Sequence, residues 1–300
     1  MKLIRVLLPA VAILGPGWEA GAQSTPPFEQ QVDVVYGQSH GTALVLDIFR
    51  PTGPANGLGV VDVASGAWHS DRGKIRDHQT AGLYNVFCSR GFTVFALRPG
   101  SVSKYTGEEM VQNVLSGVRW VRSRSADFAV DAERLAIVGA SAGGHLALMA
   151  AVRADDGKPD GRDPLERLPT RLKAVAVFFP PTTFLDWGGN DLGTTARRLG
   201  RLFFPDGLVD EKSDEELRQA LAAISPREQV PLDMPPVLIF HGDADPVVPL
   251  EQSQMMVAAM REKGLKVELR IKPGGGHPWI PMTTEITQMA EWLEERLRAD

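Results

Sequence analysis

The chain has 300 residues, a formal net charge of -5 and 43% hydrophobic residues, with acidic and basic side chains interspersed. That is enough apolar material for a sizeable core, and no Lys/Arg block marks a face for nucleic acid or anionic membrane. Cys88 is the only cysteine, which excludes an intrachain disulfide and leaves it a packing residue in LYNVFCSRG.

At the start, Lys2 and Arg5 precede the apolar run VLLPAVAIL, and Ala20-Gly21-Ala22 follows. A basic start, a short apolar core and small residues before a cut have the form of a secretory signal peptide. The run is shorter than the roughly 20 apolar residues that a membrane span needs. Residues 1–22 are therefore expected to be a signal cleaved after Ala22, giving a secreted or periplasmic protein without stable membrane insertion. Residues 23–300 are expected to form one domain, since no linker, repeat or low-complexity tract divides them.

VDVVYG (32–37) and ALVLDIFRP (43–51) read as paired strands around a turn at His40-Gly41. LGVVDVA (58–64) reads as a buried strand followed by the loop SGAWHSDRG, then a helix around 75–89 and the strand FTVFALRP. Val111, Val114, Leu115, Val118 and Val121 have helical spacing and predict an amphipathic helix over 108–124. RLAIVG is a strand, 142–153 a helix, and LKAVAVFFP (172–180) and PVLIFHG (236–242) are further apolar strands. A helix at 250–263, the strand KVELRIK and a C-terminal helix marked by Ile286, Met289, Leu293 and Leu297 complete the order. Strands alternating with helices predict an α/β fold with a mostly parallel sheet covered on both faces, made mixed by the antiparallel opening pair. A polar insertion at 155–170 and a long excursion at 182–233 interrupt the alternation, and the second is expected to act as a lid above the sheet.

GASAGGH (139–145) places Ser141 among very small residues between a strand and a helix. Gly139-x-Ser141-x-Gly143 in that context has the form of a nucleophile elbow, a turn so tight that larger neighbours would push strand and helix apart. A serine hydroxyl needs a base, and six histidines compete. His40 sits in an early turn, His78 on what reads as a surface helix, and His69 in a loop that could line a pocket. His145 points along the helix from Ser141, and His241 ends a strand where it would brace the next loop. His277, in the flexible loop PGGGHPW after the last strand, stands last in the order serine, acid, histidine. HGDADPVVP (241–249) supplies the acid: Asp245 is the preferred candidate and Asp243 is read as a turn cap. His241, Asp243 and Asp245 also suggest a metal site, but no second ligand cluster completes it, so no metal is assigned.

GASAGGH, HGDADPVVP and GGGHPW, in this order, resemble the bacterial α/β-hydrolase-fold serine esterases: the acetylesterase, feruloyl-esterase and hormone-sensitive-lipase-like groups. The resemblance covers nearly all of the mature chain and implies an α/β-hydrolase fold and a catalytic triad of Ser141, Asp245 and His277, with no cofactor. Members usually carry HGGGW after the third strand, whereas this chain has Ala64-Ser65-Gly66-Ala67-Trp68. The N–H of Ala142, with that of Gly66 or Ala67, would form the oxyanion hole. If a replaced glycine needed positive φ, alanine there costs on the order of 1 kcal/mol. Trp68, Trp187 and Trp279 are candidate pocket walls, and Asp186 and Asn190 candidate contacts to a polar substrate. The expected substrate is a small-molecule or carbohydrate ester, short-chain, acetyl or feruloyl, with no nucleic-acid partner and the oligomeric state left open. Two alternatives remain at this point: a prolyl-oligopeptidase-like peptidase, and a non-catalytic binding protein of the same fold.

Overall fold

The computed structural model describes residues 25–299; the expected signal peptide lies outside them. Eight strands form one sheet: β1 (Phe28–Ser39), β2 (Thr42–Pro51), β3 (Gly59–Val63), β4 (Thr93–Arg98), β5 (Leu135–Ala140), β6 (Ala174–Phe178), β7 (Val237–Gly242) and β8 (Val267–Lys272). Their spatial order is β1-β2-β4-β3-β5-β6-β7-β8, with β1, β2 and β4 paired antiparallel and every later pair parallel. The mixed sheet expected from the apolar runs is thus present. Strands β3, β6 and β7 are buried throughout, as helices on both faces require.

Among the described residues there are eight helices: α1 (Arg72–Thr80), α2 (Leu83–Ser89), α3 (Gly107–Arg124), α4 (Ala142–Val152), α5 (Leu192–Phe203), α6 (Asp214–Ala223), α7 (Leu250–Glu262) and α8 (Thr283–Arg298). Successive strand residues point to opposite faces. Val61, Val63, Leu135 and Ile137 meet α3, α4 and α7 in one core. Val60, Ala136 and Val138 meet α2 and α8 in the other. Apart from His145, helix α4 carries apolar or very small residues on all sides, and every residue from Ala142 to Val152 is buried. The order β4-β3-β5 marks the point where the chain reverses its direction of winding, the place where open α/β sheets gather ligands at their carboxyl ends.

One predicted element is wrong. The helix read over 75–89 is two helices, α1 and α2, broken at Ala81-Gly82, where Gly82 takes the left-handed conformation with φ 89°. The excursion between β6 and β7 holds α5, α6 and a short 3-10 turn (Pro226–Gln229). Asp191 caps α5 through the N–H of Thr194, and Ser213 with Glu216 closes a capping box on α6, so each helix begins where the sequence supplies a cap.

Candidate active site

The register of the sheet sets Val63, at the carboxyl end of β3, opposite Gly139 near the end of β5. The loop after β3 and the turn after β5 therefore meet. A Cβ on Gly143 would lie 2.2 Å from the Val63 carbonyl oxygen, and one on Gly139 would lie 2.5 Å from the Gly143 carbonyl. Both glycines are there because backbone packs on backbone. Ser141 bears the strain of the turn at φ 53°, a conformation that L side chains rarely adopt. Its own N–H donates to the Phe178 carbonyl (2.9 Å), and that of Gly143 donates to the Ser65 carbonyl (3.1 Å).

The predicted base and acid converge on this serine. Ser141 Oγ lies 2.8 Å from His277 Nε2, and His277 Nδ1 lies 2.6 Å from Asp245 Oδ2. The N–H groups of Val247 and Val248 donate to Asp245 Oδ1 at 2.8 and 3.0 Å. Burial alone would raise the Asp245 carboxyl, but hydrogen bonds from His241, His277 and these N–H groups hold it well below the usual carboxylate range. Asp245 stays ionised, so Nδ1 of His277 carries the proton and Nε2 is free to accept one. Asp243 does not cap its own turn: its Oδ1 accepts from the Gly274 N–H (2.6 Å) and so fixes the loop that carries His277. His241 braces the loop as expected, with Nδ1 accepting from Ser253 Oγ (2.6 Å) and Nε2–H donating to the Val248 carbonyl (2.9 Å). His241 Nε2 also lies 3.5 Å from Asp245 Oδ2, whereas Asp243 serves a different partner. Among the described residues no cluster of three or more His, Cys, Asp or Glu is disposed to hold a metal.

The loop after β3 needs a correction. The Gly66 N–H donates to the His69 carbonyl (3.0 Å) and is not free for an oxyanion. That leaves the N–H groups of Ala67 and Ala142, which meet no acceptor among the described residues. Ala67 and Trp68 take φ 47° and 58°, so the chain keeps a left-handed path with side chains that disfavour it. Ala67→Gly is expected to raise the unfolding free energy by roughly 0.5–1 kcal/mol, the relieved strain exceeding the added entropy of the unfolded chain. Urea melts of the two chains measure it.

The BD-FAE family model matches residues 46–260. The chain belongs to the BD-FAE family. It is 29% identical over 240 residues to esterase LipQ of Mycobacterium tuberculosis, covering 78% of this chain and 53% of LipQ. The chain spans little more than half the length of the curated relatives it matches, 53% of LipQ and 58% of esterase LipC. A truncated carbohydrate esterase from gut microbiota superposes with a TM-score of 0.76 at 25% identity, over 91% of this chain and 98% of that one. An esterase of Thermogutta terrifontis, Est2, superposes at 0.67 with 24% identity, over 90% and 92% of the two chains, and so speaks to the fold alone. The fold of this BD-FAE member is the α/β-hydrolase fold that the order of motifs implied.

Over Ser141 this BD-FAE chain opens a cavity of about 570 Å³, with Trp68 and Trp187 in its walls and Asn190, Thr195 and Arg198 contributed by the excursion. Trp279 is not among its walls. Its ring packs edge-on against Phe178 and Phe179, and its indole N–H donates to Glu285 (3.2 Å), so it braces Phe179, whose ring lies 4.4 Å from that of His277. Asp186 gives only its backbone carbonyl, to Gln252 Nε2 (2.7 Å). His69 is exposed and stands apart from the cavity.

Two histidines hold roles that spacing did not reveal. His78 does not face solvent as a surface-helix residue: Nδ1 bonds Asp62 (2.8 Å), whose carboxylate also accepts from Tyr84 (2.9 Å), and the ring lines the cavity. Burial opposes a charge on His78, but the neighbouring Asp62 carboxylate outweighs it and raises the imidazole. The missed signal was the Asp62 carboxyl in the middle of a buried strand, where it must have a partner.

His145 is wholly buried, with Nδ1 accepting from the Trp68 indole (3.1 Å) and Nε2–H donating to the Ile224 carbonyl (2.6 Å). It ties the loop after β3 to the end of α6. Burial pushes His145 down to about 4, against the Ile224 carbonyl, from an ordinary value of 6.5. The unfolded chain therefore binds the extra proton over that window, and stability falls as pH drops from about 6.5 to about 4, by up to about 3 kcal/mol from this residue. Urea melts across that range are expected to show a flatter pH dependence for His145→Gln than for the parent, on a lower overall stability.

Proposed function

We propose that this protein is a serine carboxylic-ester hydrolase that works through an acyl-enzyme. The observation that carries the reading is the unbroken chain of hydrogen bonds from Ser141 through His277 to Asp245 at 2.8 and 2.6 Å. Ser141 Oγ attacks the ester carbonyl carbon while His277 Nε2 takes its proton, and Asp245 stabilises the imidazolium. The Ala142 and Ala67 N–H groups receive the oxyanion. Collapse of the tetrahedral intermediate breaks the bond to the alcohol, which leaves with the proton from His277. Water then attacks the acyl-serine with His277 again the base, releasing the acid and restoring Ser141.

The excursion 182–233 acts in this reading as a lid that shapes the alcohol side of the site. A side cavity of about 40 Å³ shares His78, Ala81, Ala140 and Met282 with the main one and is lined mostly by apolar side chains. Its size suits an acetyl or similarly short acyl group, while the main cavity, with two tryptophans, suits a sugar or an aromatic ring. The likeness to a carbohydrate esterase supports a carbohydrate-linked acetyl or feruloyl ester. Residues 1–22 direct export, which would bring the enzyme to extracellular esters. A fluorophosphonate probe tests the central claim: one equivalent of label on Ser141 is expected, and an unlabelled folded chain would mean a binding protein instead.

A further inference from the structure

The cavity over Ser141 has an ionic wall that ester hydrolysis alone leaves unused. Of the ionisable side chains that line it, Lys74 is held by Asp77 at 2.7 Å, His78 by Asp62 at 2.8 Å and His277 by Asp245 at 2.6 Å. Arg198 is different: among the described residues no carboxylate lies within ion-pair distance of it, although its neighbour Arg197 pairs with Asp210 at 3.3 Å.

A second observation points the same way. Thr195 precedes Arg198 by one turn of α5, so the two share a helical face, and both line the cavity. Thr195 is only 4% exposed, yet its hydroxyl meets no hydrogen-bond partner among the described residues. A buried hydroxyl without a partner is unfavourable until an acceptor reaches it. A guanidinium and a hydroxyl on one face are the donor set that a carboxylate takes, two N–H groups on its paired oxygens and one O–H beside them.

We propose that Thr195 and Arg198 form a carboxylate subsite in the wall that α5 contributes, so that the preferred substrate is an ester carrying a carboxylate at a distance from its scissile bond. The inference rests on the esterase reading of Ser141. A carboxylate on the acyl part and one on the alcohol part, as in a uronic acid, present the same chemistry to Arg198, and matched substrates separate them. The acyl arm compares p-nitrophenyl hemisuccinate with p-nitrophenyl butyrate, corrected for spontaneous hydrolysis. The alcohol arm compares the acetyl esters of methyl glucuronide and methyl glucoside.

The wild-type chain is expected to favour the acidic member of one pair by roughly tenfold in kcat/KM, through KM rather than kcat. That preference shrinks as salt rises from about 50 to about 500 mM, because Arg198 is exposed and its charge is screened. In Arg198→Gln and in Thr195→Val the ratio moves toward one. A chain that hydrolyses p-nitrophenyl acetate but prefers neither acidic substrate overturns the subsite alone, as does a preference that survives Arg198→Gln. A chain inert toward p-nitrophenyl acetate overturns the esterase reading beneath it.

Discussion

Ser141→Ala is expected to lower kcat/KM for p-nitrophenyl acetate by roughly 10⁵-fold, leaving only what the oxyanion donors and binding supply. The size of the effect follows from geometry. The only hydroxyl hydrogen-bonded to His277 Nε2 among the described residues is that of Ser141, at 2.8 Å. Water at that position would have to attack directly, without the covalent intermediate that divides the reaction into two lower barriers. The fold is expected to survive, because alanine at φ 53° is strained no more than serine and the flanking glycines keep the close backbone approach. Urea melts within about 1 kcal/mol of the parent, combined with lost turnover, would separate chemistry from folding. Retention of more than about a hundredth of the activity would remove Ser141 from the mechanism.

Asp245→Asn is expected to cost roughly 10³- to 10⁴-fold in kcat with little change in KM. The amide oxygen can keep the N–H bonds of Val247 and Val248, now made to Oδ1 at 2.8 and 3.0 Å. Its NH₂ then faces His277 Nδ1, which must accept, and the ring proton moves to Nε2, where it faces Ser141 and cannot serve as a base. The same substitution at Asp243 makes an informative contrast. Its carboxylate holds only the Gly274 N–H, so Asp243→Asn should loosen the histidine loop and reduce kcat by less than about tenfold. Equal losses in the two variants would argue that Asp245 acts by holding the loop rather than by orienting the imidazole.

That Ser141, Asp245 and His277 come together was legible because each sits just beyond a strand in a short motif, and chain order suggests the roles proposed for them. The inner parallel strands were legible for a related reason: a strand covered on both faces is mostly apolar, as β3, β6 and β7 are, with Asp62 and His241 the polar residues among them. What the sequence withheld depends on local backbone conformation and on contacts between distant segments. That the Gly66 N–H is taken by His69 follows from a local curl of the loop, which no composition rule contains. The direction of Trp279 is set by Glu285 and by the Phe178–Phe179 pair on another strand. The break at Gly82 was missed because apolar residues on either side keep a helical spacing. One such contact was open to inference: Asp62, flanked by valines in a strand buried from Gly59 to Val63, announced a partner without naming His78.

The enclosure of α4 on all sides has a consequence for how the protein ages under heat. Amides of a helix that has no solvent face exchange with deuterium only when the whole sheet opens, so the elbow behind Ser141 shares its lifetime with the native state. Helix α5, by contrast, meets solvent along one side and can fray on its own. Warming should therefore blur the choice among substrates before it silences the nucleophile.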